Sequence, residues 1–156
     1  MRAQEYPVLR RVLVIGGVAG GASAAARLRR LDETPEIILL ERGPHVSFAN
    51  CGLPYYVGDV ISDERKLLVA SREMFRDRFN IDVRVEHEAV GIDRAAKTVR
   101  VRNVRSGEER NEPYDALVLA PGASPIRPQA TGTDLPGVFV VRTIADSRRI
   151  REWLDA

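Results

Sequence analysis

Arg11-Val12-Leu13-Val14-Ile15 is an apolar run that stops at Gly16-Gly17, the pattern of a short parallel strand buried on both faces. Beyond the glycines, Ala22 to Leu31 is alanine-rich with apolar positions at 24, 25, 28 and 31. That spacing predicts a helix with one buried stripe, and its small residues allow it to lie close to a sheet. Thr34-Pro35 breaks the pattern, and Glu36-Ile37-Ile38-Leu39-Leu40 forms a second apolar strand ending in Glu41. Strand, glycine turn, helix and strand within about 30 residues make a βαβ unit. Pro44 to Gly58 is richer in Gly, Pro and small polar residues, and Ser71 to Phe79 reads as a helix with Ser71 as its N-cap. From Ile81 the apolar positions alternate: 81, 83 and 85, then Val90 and Ile92, then Val99 and Val101. Turn signals at Arg94 to Lys97 and at Ser106-Gly107 make this a small meander with one wet face. Tyr114 to Leu119 reads as a buried strand closed by Pro121-Gly122, Val138 to Val141 as another short strand, and Ile144 to Leu154 as a helix starting at Thr143. Neither an internal repeat nor a linker-like run is visible.

The expected fold is therefore α/β, a Rossmann-like three-layer nucleotide-binding domain with a small β-meander. Its segments are a βαβ unit over about 10–42, a cysteine-bearing stretch over 43–80, a β-rich excursion over 81–112 and returning strands with a last helix over 113–156.

Composition narrows the chemistry. The net charge of +2 is too small to point to a nucleic-acid partner. One cysteine, Cys51, excludes an intramolecular disulfide, a four-cysteine zinc site and a CxxC dithiol. His45 and His87 have no neighbours in sequence that suggest a metal or a catalytic base, and read as ordinary surface histidines. No apolar run approaches the roughly 18 residues of a membrane span, and Met1 to Pro7 lacks a signal-peptide core. A soluble, cytoplasmic chain without metal is the expectation.

Gly16-Gly17-Val18-Ala19-Gly20-Gly21 follows a strand and opens a helix, as a phosphate-binding turn must. Gly16 and Gly21 occupy the first and sixth fingerprint positions, but Val18 replaces the glycine of the third. A pyrophosphate would then rely on Gly17 and on the free N–H groups of the helix start. Glu41 stands about 20 residues past Gly21, where an acid accepts ribose hydroxyls. The competing explanation is that the glycines only permit close helix–strand packing. Spacing does not separate NAD from FAD. A lone cysteine is commonly an inert core residue, but Gly52 and Pro54 suit a first helical turn, which would place the sulfur at a helix N-terminus where thiolate is favoured.

Ser47-Phe48-Ala49-Asn50-Cys51-Gly52-Leu53-Pro54-Tyr55 closely resembles the redox-cysteine motif of the flavin-dependent pyridine nucleotide–disulfide oxidoreductases. The likeness is to their single-cysteine branch of coenzyme A-disulfide reductase, NADH oxidase and NADH peroxidase. Val14 to Gly21 resembles the glycine turn of that branch, and Tyr114 to Ala123 its returning strand beside the flavin. The resemblance implies FAD, with Gly16, Gly17, Val18, Ala19, Gly20 and Gly21 on its pyrophosphate and Glu41 on its adenosine ribose. Arg42, Ser47, Ala120, Pro121 and Gly122 would lie along the cofactor. It implies Cys51 as the redox nucleophile, and Ser23, Arg27, Arg30, Ser47 and Asn50 as contacts to coenzyme A.

Ser23, Arg27 and Arg30 lie at i, i+4 and i+7, one helical stripe able to grip a phosphorylated group by forked hydrogen bonds. The alternative is a solvated face shared with Arg29. The implied reaction passes electrons from NAD(P)H through FAD to a small disulfide, that of coenzyme A or a related persulfide or polysulfide. With peroxide the cysteine would become a sulfenic acid instead. A stand-alone nucleotide-binding redox sensor is the reading from another class. The family carries a second glycine turn for NAD(P)H and a dimerisation domain further along. The chain is therefore expected to be the N-terminal FAD-binding part of a larger homodimeric enzyme, and inactive by itself.

Overall fold

The computed structural model describes residues 8–156; the expectation on Met1 to Pro7 lies outside the described residues. β1 (Arg11–Ile15) pairs in parallel with β2 (Glu36–Glu41) on one side, from Arg11 opposite Glu36 to Ile15 opposite Leu40. On its other side it pairs with β7 (Ala116–Leu119), from Val12 opposite Ala116 to Ile15 opposite Leu119. β2 pairs with β3 (Ile81–Val85), and the sheet order is β3-β2-β1-β7. α1 (Gly20–Leu31) and α3 (Arg72–Phe79) supply one layer. Val12, Val14, Ile37, Leu39, Ile81 and Val83 meet Ala22, Ala25, Ala26 and Phe75 there. The alternate side chains Leu13, Ile38 and Leu40 point to the other face and meet Val99 and Val101 of an antiparallel meander. That meander is β4 (His87–Asp93), β5 (Thr98–Asn103) and β6 (Glu109–Pro113). Period-2 alternation with both faces covered explains why β1 and β2 are apolar without interruption. Three layers result, as the pattern predicts.

Four expectations change. Ile81–Val85, grouped with the meander by its alternation, is an edge strand of the parallel sheet, because Ile81 and Val83 bury against the helices while Asp82 and Arg84 pair with each other at 2.7 Å. The buried stripe of α1 runs through Ala22, Ala25, Ala26 and Arg29, while Leu31 is exposed. Tyr114–Leu119 is only half-buried, and its strand begins at Ala116. Val138–Val141 forms no strand: Val138 and Val141 are exposed, and residues 121–142 carry neither helix nor strand.

The described residues up to Ser47 together with Ala70–Pro121 form one compact unit, which contains the three layers. Within it, buried Arg29 donates to the carbonyls of Glu33, Pro35, Phe79 and Asn80 at 2.6, 2.8, 2.8 and 2.9 Å. The last two are the C-terminal end of α3, where a cation complements the helix dipole. Buried Glu112 is held by Arg84 at 2.6 Å, Arg110 at 2.8 Å and Arg11 at 3.3 Å, the pairing a desolvated carboxylate requires.

Phe48–Val69 and Gly122–Ala156 form the second unit. Its core is Leu53, Tyr56, Leu67 and Ile144, with Phe48 and Ile61 against it. These come from α2 (Leu53–Val57), a 3₁₀ turn at Glu64–Leu67 and α4 (Ile144–Leu154). Thr143 caps α4 through a reciprocal box with Asp146, as its position at the helix start predicts.

Candidate functional site

The glycine turn joins β1 to α1 at the carboxyl end of the parallel strands. Gly16 has φ +96°, and a Cβ there would lie 1.9 Å from the Ala120 carbonyl oxygen. A Cβ on Gly21 would lie 1.7 Å from the Gly16 carbonyl oxygen, and one on Gly17 2.7 Å from Leu39 Cδ2. These three glycines are required by packing alone. Gly20 differs, since its Cβ would meet only the Ala120 methyl at 3.4 Å. Backbone bonds fix the turn: Gly16 N–H donates to Leu40, Ala120 N–H to Ile15 and Ser47 N–H to Gly17, each at 2.8 Å. So the turn, Ala120 and Ser47 are brought together; Pro121 follows at the edge of this unit. Ser47 holds φ 49°, a left-handed backbone that a serine rarely adopts.

Ala19 is the N-cap of α1 and supplies no side-chain cap, and the first turn of the helix holds no acid. Its leading N–H groups and positive dipole end are left for an anion. Glu41 accepts from Gly17 N–H at 2.8 Å through Oε2 and from Gly43 N–H at 2.7 Å through Oε1. Each oxygen keeps a further lone pair for a hydroxyl donor. Beside it a shallow cleft of about 120 Å³ is lined by apolar Ile15, Leu40, Ala89 and Pro121, by Gly16, and by Glu41, Arg42, His87 and Glu88. Apolar walls for a planar base, a carboxylate for a ribose and uncapped amides for phosphate match the donor set of an adenosine phosphate. His87 is therefore not a plain surface residue: it is half-buried, and its Nδ1 stands 2.7 Å from the Val85 carbonyl, so Nδ1 carries the proton. Among the described residues no cluster of ligating side chains could hold a metal ion.

Ser23, Arg27 and Arg30 are exposed on α1. Arg30 donates to Ala26 O at 3.1 Å and lies 5.9 Å from the Phe79 ring centroid, whereas Arg27 has no such tie among the described residues. Arg29 does not share their solvated face. The signal for its burial was available, since 22, 25, 26 and 29 are one helical stripe.

In the second unit, Cys51 sits in a 3₁₀ turn, Asn50–Gly52, and is exposed. Gly52 is the N-cap of α2 and Pro54 lies in its first turn, so the helix start falls where the sequence puts it, although α2 is only five residues long. A Cβ on Gly52 would lie 2.8 Å from Leu67 Cδ2. Asn50 Oδ1 is buried without a partner among the described residues, an acceptor that the sequence did not reveal. Gly122, with φ +72°, belongs to this unit and would meet Arg142 if it carried a Cβ.

A parallel sheet, a glycine turn opening a helix and an acid closing the second strand define a dinucleotide-binding α/β domain. The chain belongs to the pyridine nucleotide-disulphide oxidoreductase family, whose family model matches residues 10–155; this family uses FAD and NAD(P)H. It is 42% identical over 146 residues to the coenzyme A disulfide reductase of Staphylococcus epidermidis, covering 94% of this chain and 33% of that protein. Among solved structures it resembles the reduced CoADR-RHD of Bacillus anthracis, with a TM-score of 0.92 and 49% identity over 97% of this chain and 27% of that one. An NAD-dependent persulfide reductase from A. fulgidus matches with a TM-score of 0.86 and 38% identity, over 94% of this chain and 28% of that one. The chain thus spans about a third of the length of the curated relatives it matches.

Proposed function

We propose that this chain is the FAD-binding, redox-cysteine part of an NAD(P)H-dependent disulfide reductase acting on coenzyme A disulfide or a related persulfide or polysulfide. The observation that carries the reading is the exposed Cys51, alone in its turn, in a chain so similar to coenzyme A disulfide reductases. Gly16 to Gly21 and Glu41 would hold the pyrophosphate and adenosine ribose of FAD, with Arg42, Ser47 and Ala120 to Gly122 along it. When bound, FAD takes hydride from NAD(P)H and delivers two electrons to sulfur.

The chain's own sulfur does the exchange chemistry. Cys51 thiolate attacks one sulfur of the substrate; a new S–S bond forms as the substrate S–S bond breaks, and the first thiolate departs and takes a proton. Two electrons and a second proton then restore Cys51 and free the second thiol. Ser23, Arg27, Arg30 and Asn50 would bind the coenzyme A moiety, the guanidiniums on its phosphates. The working enzyme is read as a cytoplasmic homodimer with no nucleic-acid or membrane partner. The 156-residue chain alone is expected to hold FAD weakly or not at all and not to oxidise NAD(P)H.

The test uses the full-length enzyme with NAD(P)H against coenzyme A disulfide, peroxide and oxygen. Preferred turnover of the disulfide supports the reading; preferred turnover of oxygen or peroxide replaces it with an oxidase or peroxidase. Cys51→Ser should abolish disulfide reduction and leave flavin content nearly unchanged. Turnover of disulfide by that variant at the parent rate would refute the role of Cys51.

A further inference from the structure

The Cys51 turn has little means of holding its own shape. It is three residues of 3₁₀ helix followed by the five residues of α2, far below the length at which a helix persists in water. Its order must come from what packs on it. Leu53 and Tyr56 of α2 are buried against Ile144 of α4 and Leu67 of the 3₁₀ turn Glu64–Leu67. Leu67 O accepts from Ala49 N–H at 2.8 Å, which binds that turn to the residue two before the cysteine.

Two arginines of α4 complete the arrangement. Arg148 forks onto Glu64, Nη2 to Oε1 at 2.7 Å and Nε to Oε2 at 3.0 Å. Arg151 donates to the Tyr56 carbonyl at 3.1 Å and to Asp59 Oδ1 at 2.9 Å, and its Cζ lies 4.6 Å from the centroid of the Tyr56 ring. The first contact anchors the 3₁₀ turn that holds Ala49, and the second anchors the C-terminal turn of α2. Forked and stacked contacts of this kind use the planar guanidinium, and a lysine would reproduce neither.

We propose that Arg148 and Arg151 are positioning residues for Cys51: α4 is a strut that sets the conformation, and hence the reactivity, of the cysteine turn. This rests on the reading of Cys51 as the reacting group, and extends it to a helix more than 90 residues away in sequence. It also explains why a residue followed directly by buried Gly52 and Leu53 stays exposed: with the 3₁₀ turn and α2 both pinned, the chain at 51 is not free to turn its side chain inward.

The test exploits a chain with one cysteine and one tryptophan, Trp153 on α4. Trp153 stacks edge-on against Phe139 at 5.9 Å, so its emission reports the seating of α4, while iodoacetamide alkylation followed by mass spectrometry reports Cys51. Arg148→Glu and Arg151→Ala are compared with the charge swap Glu64→Arg/Arg148→Glu. Each single variant is expected to speed amide exchange over residues 49–58 roughly five- to tenfold and to move the alkylation rate at least about twofold. Exchange in α1 should stay at the parent value, and the swap should bring both readouts back toward parent. The proposal is overturned if alkylation or exchange over 49–58 keeps its parent value in the single variants, whether or not Trp153 emission shows α4 released. Failure of the redox reading looks different: Cys51→Ser would retain disulfide turnover in the full-length enzyme, whatever the exchange data show.

Discussion

Replacing Gly16 by alanine tests whether the glycine turn is set by the fold or only by a ligand. An added Cβ would stand 1.9 Å from the Ala120 carbonyl oxygen, so that carbonyl must retreat by about 1.5 Å to reach ordinary contact at 3.4 Å. The retreat stretches the bond from Ala120 N–H to Ile15 O, now 2.8 Å, with a loss of about 1 kcal/mol. Holding alanine at φ +96° adds about 1–3 kcal/mol. The total, about 3 kcal/mol, is a large share of the 5–15 kcal/mol that holds a typical domain together. For a chain of this size it lowers Tm by roughly 10 °C. Gly20→Ala is the control. Its Cβ would meet a single methyl at 3.4 Å, and alanine is the better helix former, so stability should stay level or rise slightly. Thermal unfolding of the flavin-free chain, followed by circular dichroism, measures both. If the two variants lose stability equally, or Gly16→Ala loses none, the glycines are not there for packing.

Arg29→Met keeps the apolar stem but strands four carbonyls, two of them at the end of α3, and should lower urea stability by about 2–4 kcal/mol. Arg29→Lys should recover part of this, since three donors cannot serve four acceptors in the same fork. Acid should destabilise the fold in a definite window. Asp146 is partly desolvated, which pushes its pKa up, but hydrogen bonds from Thr143, Arg149 and Arg142 outweigh that and hold it below the ordinary 3.8. Asp115 is lowered by the Arg11 and Arg10 amides, and Asp63 to about 2 by its Arg65 side-chain bond. Depressed carboxylates stabilise the folded state above their ordinary value, and that contribution disappears as pH falls through the depressed ones. Urea midpoints should thus be flat above pH 4 and drop as pH falls from about 3.8 toward about 2; a midpoint that rises on acidification would show the sign to be wrong.

The layers were legible in the sequence because burial of both sheet faces leaves an unbroken apolar run, as in β1 and β2, and burial of one leaves alternation, as in β5. The same rule misplaced Ile81–Val85. An edge strand covered on one face alternates just as a meander strand does, and only its parallel pairing with β2 tells the two apart. Val138–Val141 failed for want of a partner: local apolar character does not make a strand without a ladder to join. At the site, the glycine turn, Glu41 and the exposed cysteine could be named from spacing and motif. The hydrogen bond from Gly17 N–H to Glu41, the left-handed backbone of Ser47 and the orphan Asn50 Oδ1 depend on chain segments brought together in space, and no local pattern encodes them.

Packing and ligand are usually offered as rival explanations of such a turn, and here they divide the glycines between them. Gly16, Gly17 and Gly21 are consumed by the fold: β7, β2 and α1 each come too close to β1 or its turn for a side chain. Val18, at the third fingerprint position, lies outside the positive-φ residues, so the backbone places no demand for glycine there. That close approach of α1 to the strand ends is also what presents its uncapped amides next to Glu41, whose two backbone bonds hold the turn closed before any nucleotide arrives. A site whose donors are already fixed loses less entropy on binding than one that must fold around its ligand. The packing requirement is thus the means by which the turn is preorganised, and a variant that relaxes the packing should weaken flavin binding even when it touches no atom of the cofactor.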